Sequence, residues 1–184
     1  MQQMNAEAAR LGMTGTHFEN ACGLDETRHL STARDVAVMS REMLLHHTEI
    51  ADYCTIWTDT LRGGETQLVN TNKLLRSYQG ITGLKTGTTG GAGVCISASA
   101  ERDGLGLVAV ILGAPSSKDR FDAARALLDY GFANYQSLTA ELPADAPKTL
   151  PVARGAEETV ELSYTAPGSF LAAKGDDAQL EVQL

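Results

Sequence analysis

The chain has 184 residues, 43% hydrophobic and 21% charged, enough for one ordinary soluble domain, or one domain and part of a second. A formal net charge of −8 and an aromatic content of 5% argue against a nucleic-acid partner and against a base-stacking surface. The longest apolar run, Leu105 to Leu112, is too short to cross a bilayer, and Met1 to Glu7 lacks the basic and apolar regions of a signal peptide.

In chain order, Gln2 to Leu11 is rich in helix formers, with Met1, Met4, Ala8 and Leu11 on one face and Gly12 as the stop. A chain that opens inside a helix reads as one that begins partway through a larger protein. Met13 to Leu30 has no sustained period and reads as a long ordered loop. Thr32-Ala33-Arg34-Asp35 has the residues of a capping box, and Val36, Met39, Met43 and Leu44 carry an apolar stripe to about His46. His46 and His47 close that helix at the negative end of its dipole, and adjacent histidines do not share a face. A short helix is expected over Thr48 to Tyr53. Thr55 to Leu61 and Thr66 to Val69 flank Arg62-Gly63-Gly64-Glu65 as strand, turn and strand. Asn70 to Leu75 reads as a polar loop ending in an apolar pair.

Ile81 opens a glycine-rich stretch, Gly83-Leu84-Lys85-Thr86-Gly87-Thr88-Thr89-Gly90-Gly91-Ala92-Gly93, which runs into the strand-like Val94 to Ala100. Glu101-Arg102-Asp103-Gly104 then turns the chain into Leu105 to Leu112, an antiparallel hairpin. The second strand is apolar at nearly every position, as suits a central strand covered on both faces. Ser116 to Asp119 is another N-cap signal. Phe121, Ala124, Leu127, Leu128, Gly131 and Phe132 give a helical face through Tyr135, and this helix should cover the sheet.

After Ser137 the composition shifts. From Thr139 onward eight acidic residues meet three basic ones, a net of −5, against −3 for the first 138 residues. Leu142 to Pro147 is linker-like. Thr159 to Tyr164 and Gln179 to Leu184 alternate like strands, with turns at Thr165 to Gly168 and Lys174 to Asp177. The expected division is residues 1–137 and 138–184, the second a β-rich unit that is short for independent stability.

Cys22, Cys54 and Cys95 are an odd number without C-x-x-C spacing, so neither a disulfide framework nor a zinc site is indicated, and they read as small buried residues. No His, Cys, Asp or Glu cluster has ligand spacing, so no metal or other cofactor is implied.

The glycine-rich stretch admits three readings. A P-loop needs Gly directly before Lys and a dinucleotide site needs a following helix; Leu84 precedes Lys85 and a strand follows, so both fail. A structural hairpin with a surface lysine is the plain alternative. The third reading is carboxylate recognition beside an acyl-transfer site: charge from Lys85, a hydroxyl from Thr86, open approach at Gly87, and the Thr88 amide aimed at a developing oxyanion.

Lys-Thr-Gly is the third motif of serine β-lactamases and penicillin-binding proteins. The chain resembles the low-molecular-mass penicillin-binding proteins, serine-type D-alanyl-D-alanine carboxypeptidases, from Met4 to Phe132. The matches include Asn20 with Gly23-Leu24, His29 to Asp35, Asn72 to Leu75, Gly83 to Thr88, Val110 to Gly113, Arg120 and Tyr130 to Phe132.

The resemblance implies an α+β fold, a β-lactamase/transpeptidase-like three-layer sandwich (here incomplete, an antiparallel sheet covered by helices) followed by a small β-rich domain. It implies an acyl-enzyme route on peptidoglycan stem peptides ending in D-Ala-D-Ala, acylation by β-lactam antibiotics, and a place in the periplasm or on the outer face of the cytoplasmic membrane. Any membrane anchor would lie beyond Leu184. Lys85 and Thr88 are the implied catalytic residues, Thr86, Gly87 and Arg120 the implied substrate-binding ones. The alternative for Arg120 is a solvated helix-start arginine. His29, Arg34 and Asp35 are expected to hold loop and helix in place.

Two departures stand out. None of the ten serines has lysine three residues on or asparagine two residues on, so the nucleophile motif Ser-x-x-Lys and the Ser-x-Asn element are absent from these residues. In the family both lie N-terminal to the segment matching Met4-Asn5. The chain is therefore expected to be the C-terminal part of such an enzyme, unable to form an acyl-enzyme alone, with sheet edges and apolar faces uncovered. Thr88 stands where many relatives carry histidine or a bulkier residue, which bears on substrate preference. The rival functions are a serine β-lactamase and a catalytically inactive peptidoglycan-binding or scaffold module.

Overall fold

The computed structural model describes residues 1–139, 142–165 and 168–176. The chain divides into two compact units, Met1–Phe132 and Ala133–Leu184.

In the first unit, helix α1 (Gln2–Arg10) ends with Gly12 in the left-handed region at φ 71°. Residues 13–30 form the expected loop, closed on itself by the His17–Leu30 bridge. Helix α2 (Ala33–His46) is capped by Thr32, whose hydroxyl accepts from the Asp35 amide at 3.1 Å. Only half of the capping box forms. The Asp35 carboxylate, 2% exposed, turns instead to the loop and accepts from Gly15 N and Thr16 Oγ1, both at 2.8 Å. A buried carboxylate gains more from two donors than from one cap amide. Thr32→Ala should cost about 1 kcal/mol of unfolding free energy in urea denaturation, the usual worth of a hydroxyl cap.

Helix α3 (Ile50–Cys54) precedes the hairpin of β1 (Thr58–Leu61) and β2 (Thr66–Val69), whose turn includes a 3-10 segment at Arg62–Gly64. Lys73–Arg76 is a further 3-10 segment rather than plain loop. The site-bearing sheet then forms from β3 (Ile81–Thr89), β4 (Gly93–Arg102) and β5 (Leu105–Ala114), in the order β3-β4-β5, all antiparallel. The glycine-rich stretch is thus a strand and its turn: Lys85 pairs with Ser97, Gly87 with Cys95 and Thr89 with Gly93.

The expectation that the apolar strand Leu105 to Leu112 is central fails. β4 is central, and among the described residues β5 is an outer strand with Leu112 exposed. Hydropathy favoured β5, but the middle position belongs to the strand that both neighbours pair with. There, small residues let helices approach: Ala98, Ser99 and Ala100 on β4 are each 1% exposed or less.

Helices lie on both faces of the sheet. Ser40 on α2 bonds Ser97 on one face, Oγ to Oγ 2.7 Å. Helix α4 (Ser117–Asn134) packs on the other, buried through Arg120, Phe121, Ala124, Leu128, Gly131 and Phe132. Gly131 packs closely on β5, where a Cβ would lie 2.5 Å from Leu107 Cδ1 and would push that side-chain end aside. Leu127 turns outward, 50% exposed, and Tyr135 begins a strand instead of ending the helix, two departures from the expected face. Ser116 caps α4 as expected, accepting from Asp119 N at 3.2 Å and donating to the Asp119 carboxylate at 2.6 Å.

In the second unit β6 (Tyr135–Thr139) pairs with β9 (Ser169–Ala173), and β7 (Thr149–Pro151) with β8 (Thr159–Glu161). Of these, only β8 was foreseen, and it is shorter than its alternating pattern. The strand expected over Gln179 to Leu184 lies outside the described residues, as do parts of the two expected turns.

Candidate active site

The site is built on β3, an outer strand, so alternate backbone amides along it have no strand partner among the described residues. Alternation along the strand buries Thr86, 8% exposed, between the exposed Lys85 and Gly87. The Thr86 hydroxyl meets the Thr71 hydroxyl at 2.5 Å. Thr71 is held there by its neighbours: Asn70 Nδ2 donates to Ile56 O at 2.9 Å, and buried Asn72 donates from Nδ2 to Gly83 O at 3.0 Å. Asn72 also accepts from Leu74 N at 3.2 Å, which starts the 3-10 segment. Lys85 Nζ donates to Thr86 O at 2.5 Å.

Arg120 reaches the same place from the first turns of α4. It is 6% exposed, which removes the reading of a solvated helix-start arginine. Its Nη1 donates to Cys95 O at 3.0 Å and Gly87 O at 3.5 Å, and its Nη2 to Ser117 Oγ at 3.2 Å. Its Nε is buried with no hydrogen-bond partner. Burial pulls the guanidinium below its ordinary pKa, and burial pushes the nearby Cys54 thiol up while the Lys85 charge draws it back.

All five residues expected from the sequence line one cavity of about 300 Å³: Lys85, Thr86, Gly87, Thr88 and Arg120. Thr71 joins them. Nothing in a polar Asn-Thr-Asn loop marked it beforehand, because its role comes from facing Thr86 across fifteen residues of chain. Among the described residues no carboxylate forms an ion pair with Lys85 or Arg120. Two cations and three threonine hydroxyls around one small cavity make a receptor for an anion with hydrogen-bonding oxygens.

His29, Arg34 and Asp35 lie in the loop and at the start of α2, as expected for supports. His29 Nδ1 accepts from Glu19 N at 3.3 Å and its ring meets Phe18 edge-on at 5.8 Å. Of the cysteines, Cys22 is exposed and Cys54 and Cys95 are intermediate, so the reading as small buried residues does not hold.

Residues 1–116 match the family model described as D-alanyl-D-alanine carboxypeptidase. The chain belongs to the D-alanyl-D-alanine carboxypeptidase family. It is 35% identical over 180 residues to the D-alanyl-D-alanine carboxypeptidase DacF of Bacillus subtilis, covering 96% of this chain and 46% of that protein. Among solved structures it is similar to penicillin-binding protein D2 of Listeria monocytogenes in its cefotaxime-bound form. That match has 36% identity and a TM-score of 0.66, covering 71% of this chain and 54% of the other. Penicillin-binding protein 6B of Escherichia coli matches at 30% identity and a TM-score of 0.74, covering 96% of this chain and 50% of the other. The chain spans about half the length of the relatives it matches. The α+β, transpeptidase-like fold of this carboxypeptidase family is the fold described above.

Proposed function

We propose that this chain forms one wall of a serine-type D-Ala-D-Ala carboxypeptidase site that trims peptidoglycan stem peptides and is acylated by β-lactams. The observation that carries this reading is the convergence of Lys85, Thr86, Gly87, Thr88 and Arg120 on one cavity, with no carboxylate paired to either cation among the described residues. Thr86 and Arg120 take the terminal carboxylate, with Thr71 orienting the Thr86 hydroxyl so that its proton points at the anion. Gly87 leaves room for the peptide backbone. The nucleophile, supplied by residues outside these 184, attacks the carbonyl carbon of the D-Ala-D-Ala bond. Lys85 lends positive charge to that attack, and the Thr88 amide donates to the oxygen as it gains charge. The C–N bond then breaks, D-alanine leaves with a proton, and water hydrolyses the acyl-enzyme.

The site lies outside the cytoplasm on this reading, where cell-wall peptide is found. Among the described residues no helix is long and apolar enough to cross a membrane. Metal and other cofactors have no part in the scheme. The lack of a Ser-x-x-Lys motif in the sequence favours a second reading for the chain by itself, a binding module without turnover. A fluorescent penicillin separates the two. The 184-residue chain should take no covalent label, and the complete protein with its Ser-x-x-Lys segment should label and release D-alanine from a diacyl-Lys-D-Ala-D-Ala peptide. Covalent labelling of the short chain would overturn the assignment of the nucleophile to other residues.

A further inference from the structure

The turn that follows Thr88 is built from residues that do not hold a shape by themselves. Thr89-Gly90-Gly91-Ala92-Gly93 contains three glycines, and glycine has more conformational freedom to lose than any other residue. An oxyanion donor at the end of β3 needs the opposite, a position fixed before charge develops.

The fixing group comes from far away in sequence. Asp25 Oδ2 accepts from Gly91 N at 3.0 Å across 66 residues. The Thr89 side chain lies near the same carboxylate and lowers its pKa, while its hydroxyl oxygen accepts from Ala92 N at 2.9 Å. The turn is thereby held at two points, by Ala92 N–H to Thr89 Oγ1 and by Gly91 N–H to the Asp25 carboxylate. The Thr89 side chain, then the Gly91 amide, hold the Asp25 carboxyl below the usual carboxylate range. A side chain at Gly91 would sit against this carboxylate, its Cβ 3.4 Å from Asp25 Oδ2.

Asp25 is exposed, so its anchoring value depends on the rigidity of the loop that carries it. That loop is well tied. Asn20 Oδ1 accepts from Gly23 N at 2.8 Å and Leu24 N at 3.1 Å, while Asn20 Nδ2 donates to Leu24 O at 2.9 Å. Asn5 fastens Phe18 to α1 through both its side-chain atoms, at 2.8 and 2.9 Å. The loop that covers α1 thus also delivers a carboxylate to the turn beside the site.

We infer that Asp25 is a positioning residue: it pins the β3–β4 turn through Gly91 and Thr89 and so presets the Thr88 amide for the oxyanion of acyl transfer. The inference rests on the carboxypeptidase reading and adds to it a control over the acylation step rather than over ligand binding.

The experiment uses the complete protein, its Ser-x-x-Lys segment included, and stopped-flow reaction with a fluorescent penicillin. This yields the non-covalent Kd and the acylation rate constant separately. Asp25→Ala should lower the rate constant about 10- to 100-fold, in line with a displaced donor, with Kd within about twofold because Thr86 and Arg120 are untouched. Asp25→Asn keeps an oxygen for the Gly91 amide and should recover most of the loss. Thr89→Val, which leaves the loop intact, should reproduce the Asp25→Ala pattern and guards against a variant that misfolds. An Asp25→Ala protein with the wild-type rate constant overturns the role of Asp25. So does a loss equal in Asp25→Ala and Asp25→Asn, or one shared equally between Kd and the rate constant. A wild-type complete protein that takes no label overturns the carboxypeptidase reading itself, and this inference with it.

Discussion

Replacing Lys85 with alanine in the complete protein should reduce β-lactam acylation about 10³-fold, roughly 4 kcal/mol of transition-state stabilisation, while the fold survives. The asymmetry follows from where Lys85 sits. It is exposed on an outer strand, and its ammonium makes a hydrogen bond to the adjacent Thr86 carbonyl and lines the cavity. Its loss removes one donor from the part-buried Thr86 carbonyl on an outer strand, so stability should fall by no more than about 1 kcal/mol. On the proposed reading its charge, by contrast, serves to activate the nucleophile and hold an anion, and no other cation replaces it on β3. Label incorporation over time and thermal unfolding, measured on the same preparation, test the two halves together. Wild-type labelling by Lys85→Ala would remove Lys85 from the mechanism. A large fall in melting temperature would mean instead that the side chain supports the sheet.

Arg120→Ala should fail in both respects. The guanidinium is buried and spans the β3–β4 pairing by donating to Cys95 O and Gly87 O. Truncation strands those carbonyls and opens a cavity beside Phe121, whose ring lies 4.6 Å from the guanidinium carbon. About 2–4 kcal/mol of unfolding free energy should be lost. The site should also bind carboxylate-bearing β-lactams about 10- to 100-fold more weakly, since the orphan Nε and its charge go with the side chain. Arg120→Lys should restore little of either, because an ammonium cannot serve two carbonyls and a serine in one plane. Urea denaturation and the non-covalent Kd give the two values independently. Unchanged stability would show that the bonds to Cys95 and Gly87 carry no weight.

Comparison of the expected with the observed elements shows where pattern reading stops. The periodicity of Val36 to Leu44 and of Phe121 to Phe132 is a property of a few turns of chain, and α2 and α4 follow it closely. The same holds for the β4–β5 hairpin, which needs only one alternating run, one apolar run and Asp103-Gly104 between them. Errors arise where the outcome depends on distant partners. Leu105 to Leu112 looked central because it is apolar, and Leu127 looked buried because it fits the helical stripe. Neither pattern records which neighbouring element is present.

The same division applies to the site. Lys85-Thr86-Gly87-Thr88 stood out as a local run of a basic residue, hydroxyls and a glycine, but it admitted three readings until the resemblance to penicillin-binding proteins across the chain favoured carboxylate recognition. The absence of a Ser-x-x-Lys motif was legible by itself. Tertiary structure alone decided that Thr71 faces Thr86, that Arg120 is buried against the carbonyls of β3 and β4, and that Asp25 ties the turn beyond Thr88. These contacts span 15, 25 and 66 residues. A hydroxyl, a guanidinium or a carboxylate has much the same local signature whether it meets solvent or a partner. Only the folded path of the chain determines which it meets.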